Sequence, residues 1–550
     1  MKKVKRILSL ILSLIMVMSM GIAVKAAPSY TITITNSDAI SAAGHKYEAY
    51  QIFGGELDST GTILTEIVWG ANIDSAAFLL ALKADPTFGS DSANLFYTAT
   101  TAADVAKVIE EPANQTSAYL SAFAKHATAC KTGTPEVSSE ATAPYTITVS
   151  SAGYYLIVDT LVDSTKENQD ISDYILQVVG DVTVEHKGSI PTMDKQVSET
   201  GSTYHDSIST GINEVHYYRI VAELPDDYRL YDEYYLEFAD TFSAGLNYKE
   251  MVAVKALIRS SGKEVVIDSN CYNVVYGSPK LSVVLEDLKK ATTTVDGDKK
   301  QIELTADDAI EIIYTATLNS DAVVDGNGIP NTAHIVYSNN PNSDGTGKSS
   351  PDETNVYPIN LNVLKIDGKD KTKALEGAEF ILARPYSDGI DKHNEYAVVV
   401  GGKVSKWVHH YEGDGHDAAV HASEELATVL TTDASGLIGV SGLKAGRYSL
   451  IEIKAPDGYN KLAEAVDFAV SVVVDEEHDK ISSMTGHTNQ GALTFTPENA
   501  TVQLTIDNFK GNVLPSTGGI GTTMFYIVGG ILFVGAIVLL VSKKRMGSKE

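Results

Sequence analysis

The sequence predicts an all-β protein of tandem immunoglobulin-like β-sandwich domains, with helical insertions in the first domain and one transmembrane helix near the C-terminus. Three observations predict it. Short runs of alternating apolar and polar residues, of which Tyr30–Thr35 (YTITIT) is the cleanest, recur along the chain with Gly, Pro and Asn between them. Thr, Val and 28 Tyr residues favour strands. From about 521 to 541 no residue carries a charge, a length that lets one helix cross a bilayer.

The N-terminal stretch 1–26 has a basic start (Lys2, Lys3, Lys5, Arg6), an apolar core and a small-residue exit, the pattern of a secretory signal peptide. The first domain, 27–187, opens on YTITIT and a second strand over 46–53. Between about 75 and 129 the apolar spacing turns helical (AAFLLALKA, ADVAKVIEE, SAYLSAFAKHA), and strands resume over 145–149, 153–158 and 174–184. A second domain, 188–358, reads as short strands with Gly, Pro and Asn turns. A third, 359–511, reads as β with a long polar loop over about 388–424. The tail 512–550 holds Leu514, Pro515, Ser516, Thr517 and Gly518, the apolar helix, and a basic cluster (Lys543, Lys544, Arg545) that favours the cytoplasmic side.

The 71 acidic and 43 basic side chains give a formal charge of −28, a poor surface for nucleic acid or anionic membrane. Cys130 and Cys271 are the only cysteines and fall in different domains, so two isolated thiols are expected. An exported chain of this size without disulfides needs another source of durability.

Side-chain parity supplies one. In the third domain Leu361, Val363 and Lys365 share a face of the opening strand. Tyr448, Leu450 and Glu452 share a face of a middle strand, and Val502, Leu504, Ile506 and Asn508 one of the last strand. Each row is apolar but for one polar residue, and burying an unpaired lysine or carboxylate is costly, so these three groups should meet. Burial favours the neutral amine and the neutral acid. A neutral amine is a nucleophile, and a protonated carboxyl can polarise the Asn508 amide and shuttle a proton. The product would be a Lys–Asn isopeptide bond and ammonia.

This region resembles the Cna-B-type domains of Gram-positive pilins and adhesins, through LKIDGKDKTKALEGAEF, YSLIEIKAPDGY and the strand ending in Asn508. The resemblance implies a Lys365–Asn508 bond with Glu452 as proton relay. In the second domain Met193, Lys195 and Val197 share a face, as do Leu236, Phe238 and Asp240, and Asn331, Ala333 and Ile335, while Glu237 points outward. PTMDKQV, EFADTFSAGLNY and NTAHIVYSNNP resemble the pilin middle domain, which implies a Lys195–Asn331 bond relayed by Asp240. Each bond would close a loop of over a hundred residues, joining first and last strands. By analogy with disulfides it would contribute roughly 4–5 kcal/mol. The first domain offers no matching lysine or asparagine, so no such bond is expected there, and Asp159 reads as a plain strand-end residue.

LPSTG, an apolar span and a basic tail together resemble the sorting signal of Gram-positive surface proteins. The resemblance implies that a sortase cuts between Thr517 and Gly518 and passes the threonyl carbonyl to an amine. VTVEHK (182–187) resembles the V-x-V-Y-P-K pilin motif, with Glu185 and His186 replacing Tyr and Pro, which makes Lys187 the receiving amine of the next subunit. The expected role is thus the major shaft subunit of a covalent, wall-anchored pilus supporting adhesion, from a precursor tethered in the membrane by the C-terminal helix. Expected partners are a class C-type pilus sortase, a housekeeping sortase, identical subunits, minor tip and base pilins, peptidoglycan and a host ligand. A monomeric wall-anchored adhesin or a tip or base pilin is the alternative. No cofactor, metal site or enzymatic activity on a substrate is expected. Asn340, Asn342, Asp344 and Gly345 lack the closing Glu of a calcium loop and read as a turn, and His409, His410, His416 and His421 as a solvated loop.

Overall fold

The computed structural model describes residues 29–510, apart from 37–39, 42–43, 388–391, 410–425 and 476–479. Within them the chain is a mixed α/β structure of three units in series, each around its own core.

In the first unit β1 (Tyr30–Thr35) lies between β4 (Tyr145–Val149), antiparallel, and β7 (Val182–Glu185), parallel. The facing sheet runs β3–β2–β5–β6, from β3 (Leu64–Trp69), β2 (His45–Leu57), β5 (Gly153–Leu161) and β6 (Tyr174–Val178). Alternation along β1 buries Ile32 and Ile34 against Tyr47, Tyr145 and Ile157 between the sheets. The other side of the β2 sheet is covered by α1 (Ser75–Ala84), α2 (Ala102–Glu110) and α3 (Ser117–Cys130). Asp74 caps α1, and Thr101 with Asp104 closes a capping box on α2, satisfying free N–H groups at the helix starts.

The second unit packs two sheets. One contains β11 (Leu246–Ile258), β13 (Ala309–Leu318), β9 (Val215–Glu223) and β8 (Thr192–Ser198), and the other β15 (Asp352–Val356), β14 (Ile329–Ser338), β10 (Leu236–Phe242) and β12 (Lys280–Leu285). The third is a continuous 11-stranded sheet that curls almost into a barrel. In it β16 (Ile359–Asp367) pairs antiparallel with β18 (Leu437–Leu443) and parallel with β21 (Thr501–Asn508), while β17 (Glu379–Ser387) pairs with β19 (Gly446–Lys454).

Two expectations are corrected. The chain is not all-β, because three helices cover one face of the first unit's sheet and fill it with Phe78, Leu82, Val105 and Phe123. The sheets are also mixed, with parallel pairs closing the first and third units. No helix among the described residues is long and apolar enough to cross a membrane, so the described residues lend the expected C-terminal transmembrane helix and membrane-tethered precursor no support. The apolar run at 521–541, the signal peptide and LPSTG lie outside the described residues, as do His410, His416 and His421.

Candidate functional site

In the third unit, the parity that buries Leu361 and Val363 on β16 carries Lys365 inward; Tyr448 and Leu450 do the same for Glu452, and Leu504 and Ile506 for Asn508. All three polar side chains are buried. Lys365 Nζ lies 3.1 Å from Glu452 Oε1 and 5.2 Å from the centroid of the Phe380 ring. Asn508 Nδ2 donates to that same Oε1 at 3.2 Å. The other carboxylate oxygen accepts from the Leu462 backbone N–H at 2.6 Å, which fixes the carboxylate's orientation. Lys365 Nζ makes no aligned hydrogen bond, nor does Asn508 Oδ1. Burial pushes the Lys365 amine below its usual value, against the pull of Glu452.

The second unit brings Lys195, Asp240 and Asn331 together as well, each buried. Lys195 Nζ is 2.6 Å from Asp240 Oδ2, the length of a short charge-assisted contact. Burial again lowers the lysine's pKa, with Asp240 opposing. Glu237 points away, toward Tyr235 and Ser282, as its parity requires. Here sequence reasoning missed a participant. The Tyr314 hydroxyl accepts from Lys195 Nζ at 3.1 Å and from Asn331 Nδ2 at 2.9 Å, and donates to Asp240 Oδ2. Tyr218 stacks on Tyr314 and lies beneath the amine, 5.0 Å from ring centroid to Nζ. Tyr314 sits in an inward row with Ile310, Ile312 and Ala316, so the rule that found the lysine, a polar group in an apolar row, could have found it. One detail differs from expectation: Asn331 lies on β14, and β15 follows it as the last strand.

Both constellations hold an amine, a carboxyl group and a carboxamide within contact distance, away from water. Asp240 Oδ1, Asn331 Oδ1 and Asn508 Oδ1 have no hydrogen-bond partner among the described residues. Buried polar groups are almost always paired, and such exceptions mark strain or chemistry. In the first unit Asp159 is not a plain strand-end residue. It is buried, with His45 Nδ1 3.0 Å from its oxygens and His186 Nδ1 3.5 Å away. Burial drops His186 to about 4.

Lys187 follows β7, half-buried, and lines a cavity of about 570 Å³ with Phe53, Ile67, Leu120, Tyr154 and Val184. Cys130 and Cys271 are free, as expected. Asn340 accepts from the Asn342 N–H at 2.8 Å in a local turn, and His409 meets His393 at 2.8 Å.

Comparison with known proteins fits the third unit and the tail. Residues 359–486 match the SpaA family, a prealbumin-like fold domain. Residues 508–546 match the LPXTG cell wall anchor motif. The third unit is thus similar to a SpaA domain, and the tail to a cell wall anchor motif. The third unit holds Lys365 and Glu452 inside the matched residues, while Asn508 opens the anchor match. These matches bear out the resemblance to sortase-processed surface proteins, and make the chain a partner of sortase and peptidoglycan. A similar curated protein is the trypsin-resistant surface T6 protein of Streptococcus pyogenes serotype M6, 22% identical over 430 residues, or 65% of this chain and 70% of that one. Among solved structures, the T6 backbone pilin of serotype M6 Streptococcus pyogenes matches at TM-score 0.46 and 16% identity, over 89% of this chain and 100% of that one. The full-length major pilin SpaD of Corynebacterium diphtheriae matches at TM-score 0.43 and 18% identity, over 89% and 99%.

Proposed function

We propose that this chain is the repeating structural subunit of a covalent surface pilus, hardened by self-formed Lys195–Asn331 and Lys365–Asn508 bonds. The observation that carries this reading is the convergence of amine, carboxyl and carboxamide in two successive units of a chain with a wall-anchor motif. In each unit the neutral amine attacks the asparagine Cγ. The C–N bond forms, the carboxyl group relays the amine proton, and the carboxamide nitrogen leaves as ammonia. Asp240 and Glu452 are the relays. In the second unit Tyr314, bonded to both Asp240 and the departing nitrogen, is a positioning group on the proton's path.

Between subunits, a class C-type sortase joins the Thr517 carbonyl to Lys187 of a neighbour, and a housekeeping sortase transfers the finished fibre to peptidoglycan. A head-to-tail contact of this kind grows as an open filament rather than closing into a ring. Minor tip and base pilins and a host ligand complete the assembly. The alternative, a monomeric wall-anchored adhesin, is favoured by one observation: the Tyr-Pro of the pilin motif is replaced by Glu185 and buried His186. Immunoblots of wall extracts separate the two. A ladder of high-mass species that collapses to one band with Lys187→Ala supports the shaft; a single band in the wild type overturns it.

A further inference from the structure

We propose that His45, Asp159 and His186 form a divalent transition-metal site that clips the two sheets of the first unit together. The three side chains come from different places. His45 begins β2, Asp159 sits on β5 directly across from Tyr47, and His186 follows β7, its backbone N–H held by Thr35 of β1 at 2.8 Å. All are buried, and their ligand atoms lie within 4.8 Å of one another.

The spacing suits a small ion. Bonds of about 2.0–2.2 Å in a tetrahedral shell put neighbouring ligand atoms roughly 3.3–3.6 Å apart. Asp159 oxygens are 3.0 Å from His45 Nδ1 and 3.5 Å from His186 Nδ1, which straddles that spacing, and Tyr47 Oη, 2.9 Å from His186 Nδ1, stands beside them as the nearest further donor atom. Proton placement points the same way. His45 Nδ1 hydrogen-bonds Asp159 and His186 Nδ1 hydrogen-bonds Tyr47 Oη, while neither ring's buried Nε2 has a hydrogen-bond partner among the described residues. Placing the ion on Nδ1 moves the His186 proton to Nε2, which faces Asp170 Oδ2 at 3.8 Å. A carboxylate behind a ligating imidazole is the usual support for a metal-bound histidine. Two imidazoles with a carboxylate suit zinc and its neighbours rather than calcium or magnesium, which prefer oxygen alone.

The site ties β2 and β5 of one sheet to the segment leaving β7 of the other, one residue before Lys187. It therefore fastens the unit that has no lysine–asparagine pair of its own.

The test uses the full chain, stripped with chelator and then titrated with Zn²⁺, with Co²⁺ as the coloured probe. The expected result is one ion per chain and visible Co²⁺ absorption, with affinity at least about tenfold weaker in His186→Gln. Failure of the wild-type chain to take up a stoichiometric ion overturns the proposal, as does undiminished uptake by His186→Gln. If His186→Gln does not fold, Asp170→Asn leaves all three ligands in place and is expected to weaken Zn²⁺ about 10–100-fold. Unchanged affinity there also overturns the site.

Discussion

Lys365 and Asn508, on neighbouring parallel strands, both reach one carboxylate oxygen: Glu452 Oε1 is 3.1 Å from the amine and 3.2 Å from the carboxamide nitrogen. An arrangement in which the attacking and leaving nitrogens share a proton acceptor lets one atom serve both halves of an amide exchange. The mass of the chain should record it. Intact mass spectrometry is expected to find the protein lighter than its sequence by about 17 Da per bond, for two bonds, as ammonia departs. Glu452→Ala and Asp240→Ala should each restore one increment; a wild-type mass equal to the sum of its residues would rule the reaction out.

Tyr314 provides a finer discrimination. Tyr314→Phe keeps the ring stacked on Tyr218 but removes the hydroxyl that contacts Lys195, Asp240 and Asn331. Formation of the second-unit bond is expected to slow by about 100-fold, the scale of a lost proton-transfer group, with the third-unit bond forming at the wild-type rate. A time course of intact mass after synthesis follows the two separately. Equal slowing of both would mean that the substitution acts through general destabilisation.

Asn508→Ala removes the acceptor and leaves the third unit's terminal strands unlinked. Opening a loop of that length should cost roughly 4–5 kcal/mol in urea unfolding, if the constraint acts mainly on the unfolded chain. No change in the urea midpoint would show that the link adds nothing to equilibrium stability.

The same variant carries a pH signature. Its Lys365 stays a free amine, held by burial below the ordinary 10.5. Between that lowered value and 10.5 the unfolded chain binds the extra proton, so the variant gains stability as pH rises through this window and loses it as pH falls. In the cross-linked wild type the nitrogen is an amide and does not titrate. The urea-midpoint gap between the two proteins should therefore be narrower near pH 9.5 than near pH 7; a constant gap would contradict a depressed amine.

How much of this was legible in the sequence follows from how each group is placed. The period-two rows that bury Leu361, Phe238 and Leu504 also carry Lys365, Asp240 and Asn508 inward, so the lysine and carboxylate positions could be read without coordinates. Tyr314 was equally readable, but a tyrosine passes for an ordinary core residue until its hydroxyl is seen between three polar groups. His45, Asp159 and His186 were not readable. They meet because β7 lies parallel to β1 and the β2–β5 register sets Tyr47 opposite Asp159, relationships that local pattern does not carry. The all-β reading fails for a related reason: the helical spacing over about 75–129 reads as an insertion, whereas its apolar faces build a core with the sheet they cover.

The parallel register of β16 and β21 has a mechanical corollary. Tension entering at Ile359 and leaving at Asn508 pulls the two strands lengthwise in opposite directions, so the eight rungs from Asn360–Thr501 to Asp367–Asn508 share the load at once. An antiparallel pair pulled from the same end would unzip one rung at a time. The unit thus resists in shear, its stronger direction, even in a molecule whose Lys365 has not yet reacted.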